Sequence, residues 1–581
     1  MQEIIVQISK YVLLFLMAVY TLLALLSIRQ KDAVKRRGRA NSQFAIILIF
    51  DAAAFAILYL QSRDPKMFGI LAGLLLYTVL VQVLYRLIYK KASLAVLNNM
   101  CMLISTGFVI QSRLGTSTAI KQLIIVAGSS AVCLVIPVII RRVKTMRNLG
   151  WLYAVLGILL LGAVFAFGRI SGGANLSVTI GGISFQFSEF VKITFVFFIA
   201  SMLRNDVSFR RVVIVTILAA LHVGILVLSK DLGAALIYFV AYIVMVTVAT
   251  KQGRYALLGI GGMCLASVAA YHLFSHVRVR VQVWKNPFAD YEGTGYQIVQ
   301  ALFGVCAGGW FGTGLFEGNP EMIPLAKEDF TYAAVCEEMG ILFGICLIFL
   351  CMSMYLQIVS ISTKLSNRFY RLVSIGLGTE YAFQVFLTVG GTTKFIPMTG
   401  ITLPLVSYGG SSIMCTIIML SIIQGLFMIR EDEDEEHELL EEIIRRQNEK
   451  ERQMNRAQRD TRASARMTAR GIRRAAKRSA AGTRAVPDRK ATRAVNVQMR
   501  ENNPETGNET GKKAAGSSSR KVTGPAPMKP PEAGRGRPVS DREIRKTLES
   551  LQESLPQEKQ DVDIDDLSRK IEDETEKSLN Y

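Results

Sequence analysis

The chain is poor in the residues that build metal sites and disulfide frameworks. Only four histidines occur in 581 residues, so a His-built metal site is not expected. The eight cysteines (Cys101, Cys133, Cys264, Cys306, Cys336, Cys346, Cys351 and Cys415) are scattered, mostly inside apolar runs, with no CxxC pair. They read as small membrane-helix hydrophobes, which excludes a zinc knuckle or a disulfide-stapled domain. Acidic residues are scarce where the chain is most apolar. Of 46 Asp and Glu, 30 fall in 431–581, as do 32 of the 67 Lys and Arg. The first 430 residues therefore hold 16 acidic and 35 basic side chains, which accounts for about +19 of the net +21. A single soluble domain is excluded by this asymmetry. The positive balance sits on short loops between apolar runs, which argues for a membrane and against a nucleic-acid partner.

What the chain has in abundance is long apolar runs. A spanning helix needs about 20 predominantly apolar residues. Such runs stand at 8–28, 43–61, 67–88, 95–112, 121–140, 151–168, 183–203, 211–228, 231–250, 255–274, 332–360, 370–392 and 402–429. The expected fold is an all-α polytopic membrane protein with about 13 transmembrane helices. The first run lacks a basic leader and a small-residue cleavage site, so it reads as a retained helix. Basic residues crowd every odd-numbered loop: Arg29 to Arg39, Lys90 and Lys91, Arg141 to Arg147, Arg204 to Arg211, Lys251 and Arg254, Lys364 to Arg371. With an odd helix count, this pattern puts the N-terminus outside and the C-terminal tail in the cytoplasm.

One outward loop is long, roughly 275–331, and rich in glycine, proline and polar residues. Such a loop suggests chemistry at the outer face. Within the spans, Glu189 and Lys192 are three apart and share a helix face. Asp231 opens a span, where it can cap the helix. Glu337 and Glu338 follow the long loop, and Asp51 sits alone in an N-terminal span. The run GGWFGTG (308–314) lacks the preceding strand of a nucleotide-binding unit. The tail opens with EDEDEEHE (431–438), continues as a charge-mixed helix to about Arg459, and passes through an Arg/Ala-rich stretch (462–493). A disordered 501–540 and an amphipathic piece at 541–554 close it. The Arg-rich part suits anionic lipid or a cytoplasmic partner.

Six motifs in order resemble the SEDS family (shape, elongation, division and sporulation; the RodA, FtsW and SpoVE proteins). They are GFVIQSRL with AIKQ (107–114, 119–122), FQFSEFVK (185–192), KDLGAAL (230–236), WKNPFADYEGTGYQIVQAL (284–302) followed by GGWFGTG, EDFTYAAVCEEMG (328–340) and IPMTGITLPLVSYGGSS (396–412). The resemblance divides the chain into a three-helix extension (1–94), a ten-helix core (95–429) and a charged, largely disordered tail (430–581). Departures from the family pattern are Leu176-Ser177 for an Arg-Trp pair, Phe187 for a proline, Thr388 for an asparagine and Lys394 for a glycine.

The resemblance implies an inverting peptidoglycan glycosyltransferase of the cytoplasmic membrane. It would polymerise lipid II at the outer face, with undecaprenyl pyrophosphate as leaving group, in elongation, division or sporulation. Asp329 matches the family's catalytic aspartate. Glu189 and Lys192 match polar residues of its central cavity and would position substrate or pyrophosphate, with Arg113, Lys121, Arg278 and Arg280 as further phosphate contacts. A divalent cation, magnesium or manganese, is compatible with this chemistry, and the residues leave it undecided. The implied partner is a class B penicillin-binding protein transpeptidase. A lipid II flippase and a non-catalytic scaffold are the alternatives; an intact EDF segment and a long outer loop speak for chemistry.

Overall fold

The computed structural model describes residues 2–481 apart from 29, 31, 168, 172–173 and 181–182. It is almost entirely helical. The first three helices are α1 (Gln2–Ser27), α2 (Ala33–Ser62) and α3 (Lys66–Ile88). Then follow α4 (Leu94–Leu114), α5 (Thr116–Cys133), α6 (Ile136–Arg142) and α7 (Gly150–Phe167). After a small sheet come α8 (Phe187–Leu203), α9 (Phe209–Leu228), α10 (Leu232–Thr250), α11 (Gly253–Leu273), α12 (Ser275–Lys285) and α13 (Tyr296–Gly308). The last are α14 (Thr331–Met339), α15 (Ile341–Ser362), α16 (Arg368–Thr392) and α17 (Gly410–Ala481). Short polar side chains set several starts. Asp32 accepts from the amides of Val34 and Lys35, Asp231 from Ala234, and Ser93 from Val96.

A helix stands at each of the thirteen apolar runs. Eleven stretches of the described residues are long and apolar enough to cross a membrane, and α7 and α8 are shorter. Several boundaries differ from the sequence reading. The run 332–360 is two helices, broken at Gly340, whose φ of +90° no helix accommodates. The run 121–140 breaks ahead of Pro137, which lacks the amide needed to continue the ladder. The run 402–429 becomes helical only at Gly410. The long loop is not irregular, because it carries α12 and α13.

The fold class also needs a small addition. Between α7 and α8, β1 (Arg169–Ser171), β2 (Ala174–Ile180) and β3 (Ile183–Phe185) form an antiparallel meander in that order. The sequence between each pair is Gly-Gly, the composition of two-residue hairpin connections.

Burial sorts the spans. Along α4 nearly nine-tenths of the apolar window is buried, whereas none of that of α11 is. Hidden from lipid, α4 carries Asn98, Asn99, Ser105, Thr106 and Gln111 inside the bundle. The lone Asp51 is part of this seam and accepts from Ser105 Oγ at 3.0 Å.

The chain divides into two units, 1–436 and 437–581. In the second, the helix continues to Ala481, well past the expected end near Arg459. Alanine and arginine are both strong helix formers, which accounts for the extension. The disordered stretch and terminal amphipathic piece expected at 501–554 lie outside the described residues.

Candidate active site

The long segment between α11 and α14 is folded onto the bundle by backbone and side-chain contacts. Trp284 Nε1 donates to the Lys394 carbonyl at 3.2 Å, and Arg280 Nη1 donates to that of Met398 at 3.0 Å. These bonds pin α12 against the non-helical stretch after α16. That stretch is held on its other side too, where Tyr408 N donates to the Lys327 carbonyl at 2.7 Å and Gln111 Nε2 donates to the same oxygen at 2.8 Å.

Asp329 lies in the turn just ahead of α14, half-buried. A Cβ on Gly400 would stand 3.6 Å from its Oδ2, so the 396–409 stretch passes directly beside the carboxylate. Burial raises the carboxyl from 3.8 to about 6, the neighbouring Glu328 adds to the rise, and Arg280 opposes it. Arg280 feels the same surroundings in reverse. Burial holds its guanidinium below the ordinary value, while Asp329 and Asp231 pull it up. A carboxyl raised by burial thus feels the positive charge of Arg280.

A second polar centre lies deeper. Asp231 Oδ2 accepts from Ser188 Oγ at 3.1 Å, and Ser188 adjoins Glu189. Glu189 Oε2 stands 2.8 Å from Lys192 Nζ, and Lys192 donates to Gln384 Oε1 at 2.8 Å. Both side chains of the pair are 8% exposed. Gln384 Nε2 donates to the Thr402 carbonyl, tying this centre to the stretch that borders Asp329. Glu380, one turn before Gln384, lines the same small cavity with Glu189, Lys192 and Thr416. It is buried, and its Oε1 has no hydrogen-bond partner among the described residues. Sequence reading missed Glu380, although an ionisable residue in the middle of an apolar run is itself the signal.

The remaining site candidates are dispersed. Arg113 Nε donates to Glu338 Oε1 at 2.7 Å, its Nη2 reaches Glu321 and the Gly318 carbonyl, and its plane lies over Phe316. Its guanidinium thus ties α4 to α14 and to the loop, away from Asp329. Lys121 is exposed on α5 beside Gln122, which donates to the Ser407 carbonyl. Arg278 donates to the His272 carbonyl, while two residues on, Arg280 faces the site.

GGWFGTG is a backbone stitch. Thr313 N and Gly314 N donate to the Glu337 and Glu338 carbonyls, both at 2.9 Å. At Gly312, φ is +82°, and a Cβ there would overlap the Glu338 carbonyl. This close approach is what the motif's glycines allow.

Among the described residues, no group of three or more His, Cys, Asp or Glu side chains could hold a metal ion. The donor set around Asp329 therefore does not form a protein-built metal cage.

The family model described as "Cell cycle protein", for FtsW, RodA and SpoVE, matches residues 85–431. The chain belongs to that family. With its many apolar helices, this FtsW/RodA/SpoVE member is a multi-pass membrane protein. It is 39% identical over 269 residues to the peptidoglycan glycosyltransferase RodA of Mycobacterium tuberculosis (strain H37Rv), covering 43% of this chain and 57% of that protein. RodA of Mycobacterium leprae is 33% identical over 324 residues, covering 53% of this chain and 69% of the relative. Stage V sporulation protein E of Bacillus subtilis is 30% identical over 275 residues, 46% of this chain and 75% of that protein. The chain thus spans little more than half the length of the first of these curated relatives. Among solved structures, Thermus thermophilus RodA aligns at 21% identity with a TM-score of 0.46, over 59% of this chain and 98% of that one. A chain from a structure described as "Structural coordination of polymerization and crosslinking by a peptidoglycan synthase complex" aligns at 24% identity and TM-score 0.49, covering 58% and 98%.

Proposed function

We propose that this protein is a peptidoglycan glycosyltransferase that polymerises lipid II at the outer face of the cytoplasmic membrane. The observation that carries the reading is Asp329: a half-buried carboxylate at the end of the long loop, packed against Gly400, raised to about 6 and within the field of Arg280. Membership of the family and the names of the mycobacterial relatives support the same reaction.

The chemistry follows from those groups. Asp329 takes the proton of the acceptor sugar's 4-hydroxyl as its oxygen attacks the donor's anomeric carbon. The bond from that carbon to undecaprenyl pyrophosphate breaks, and the configuration inverts. The pyrophosphate departs as a stable anion and needs positive charge more than a proton, which Arg280 and Lys192 are suited to supply. Glu189 holds Lys192 in place through their 2.8 Å ion pair. Arg113, Lys121 and Arg278 are assigned lesser roles in holding phosphate, and a magnesium or manganese ion, if bound, would add charge neutralisation at the pyrophosphate.

Thirteen spans, an outward N-terminus and a cytoplasmic tail complete the proposal. One end of the bundle supports this orientation: Lys91, just after α3, and Arg141, in the last turn of α6, pair with Asp432 at 2.5 and 2.6 Å. At the other end, the first turns of α1 touch the loop that leads to Asp329. Residues 1–94 are the extension, 95–429 the catalytic core and 430–581 the tail. The proposed partner is a class B penicillin-binding protein transpeptidase, which would crosslink the strands.

Purified protein in detergent, given lipid II alone, is expected to produce a ladder of glycan strands on a gel. Lipid II left unpolymerised by folded protein, with or without such a transpeptidase, would leave a flippase or a scaffold in its place.

A further inference from the structure

The family match begins at residue 85, which leaves α1 to α3 without an assigned role. Their position in the fold is informative. Along its length the extension is fastened to the core by polar contacts in the bundle interior. Tyr20 donates to Asn99 Oδ1 at 3.1 Å, Ser105 to Asp51 at 3.0 Å, and Asn98 to the Ala40 carbonyl at 2.8 Å. Phe50 stacks on Phe343 of α15. In a low-dielectric interior such bonds have no water to exchange with, so they fix the register of the extension on α4 and α15.

At one end, this fixed body touches the core at 311–317. Lys10 Nζ donates to the Gly312 carbonyl at 3.2 Å. The Tyr11 and Phe311 rings lie 5.3 Å apart. Gln61, at the end of α2, donates to Glu317 Oε1 at 3.0 Å. That stretch is in turn stitched to α14. Besides the amides of Thr313 and Gly314, Phe316 N donates to Glu338 Oε1 and Asn319 N to Glu337 Oε1. Asp329 sits at the opposite end of this one nine-residue helix.

We infer that the three-helix extension is a brace for the outer site, in which Lys10, Tyr11 and Gln61 are positioning residues that hold 311–317, and through it α14 and Asp329, in the reactive arrangement. None of the three touches the reacting atoms. Their contribution is geometric, and a general base is sensitive to displacements of about 1 Å. The catalytic part of the inference rests on the proposed polymerase reading; the bracing part does not.

The test uses the full chain in detergent, with two readouts. One is kcat and KM for lipid II polymerisation. The other is amide hydrogen exchange in peptides covering 309–318 and 326–331, with α16 as internal control. Gln61→Glu sets a carboxylate against Glu317, and the double variant Gln61→Glu/Glu317→Gln restores a hydrogen bond in reverse. Lys10→Met/Tyr11→Ala removes the other two contacts. The expected result is faster exchange in both loop peptides, with α16 unchanged. A fall in kcat of about three- to tenfold at nearly constant KM should accompany it, and the double Gln61/Glu317 exchange should recover both readouts. Wild-type exchange in all the variants would overturn the brace. Faster exchange at wild-type kcat would overturn the positioning role. If wild-type protein makes no glycan, the polymerase reading fails, and the exchange readout still decides the brace.

Discussion

At the scale of single residues, the account turns on how environment divides carboxylates that look alike in the sequence. Asp290 and Asp329 occupy the same long segment. Asp290 is spent on its own turn, accepting from Thr294 N and Oγ1 at 2.7 Å each, which holds its carboxyl below the usual range. Asp329 is raised to about 6, first by burial. The signs then fix the pH behaviour. A general base must be ionised, so polymerisation is expected to climb as pH rises through about 6 and to level off above it. Stability runs the other way. A carboxyl whose folded pKa exceeds its unfolded value contributes most below about 4 and loses that contribution as pH passes 6. Asp329→Asn should therefore melt no lower than wild type at pH 7.5. An acid limb near pH 4 in kcat/KM would mean that the Asp329 carboxyl is not raised by its surroundings. The deeper centre shows what a list of motifs leaves out. Glu189 and Lys192 were legible as a pair three residues apart. Glu380 was not, because its neighbours in the cavity come from α8, some 190 residues earlier, and only the fold brings a second carboxylate to the cavity that the Glu189–Lys192 pair lines.

At the scale of elements, hydropathy located the eleven stretches of the described residues that are long and apolar enough to cross a membrane, but not their ends, because ends are set by local backbone chemistry. The sequence 275–285 alternates Val with Arg and Gln, a pattern that suits a strand, yet it forms α12. Bonds from Arg280 and Trp284 hold that helix to the 394–398 backbone, a tertiary context that local pattern does not carry. The meander of β1 to β3 escaped notice because its strands are three to seven residues long and lie beside an apolar run that masks their period. Lys394 keeps a left-handed φ of +59° and so bears strain that a glycine would avoid. GGWFGTG offers the sharpest test at this scale. Gly312→Ala places a methyl group into the Glu338 carbonyl at positive φ, and should cost more than about 1–2 kcal/mol. Gly128→Ala, in the open interior of α5, should be neutral or mildly stabilising. Thermal midpoints in detergent compare the two; equal midpoints would mean that the stitch at 312–314 is not a tight backbone contact.

At the scale of the molecule, the sequence carried the division into apolar body and polar tail, the alternation of basic loops and the order of six motifs. Those follow from composition and spacing, which survive without coordinates. What it could not carry is convergence: Asp329, Arg280, Gly400 and Met398 come from three separate stretches, and only packing brings them to one end of the bundle. The same holds for the extension, whose contacts with 311–317 span some 250 to 300 residues of sequence. The central claim is that the loop carboxylate performs the chemistry, and Asp329→Asn tests it most directly. The substitution keeps the size of the side chain and removes its ability to accept a proton. Initial rates of lipid II polymerisation by the two purified proteins, matched for folded amount, are the measurement. The account predicts a loss on the order of 10²–10⁴ for Asp329→Asn, whereas a rate within a few-fold of wild type would contradict it.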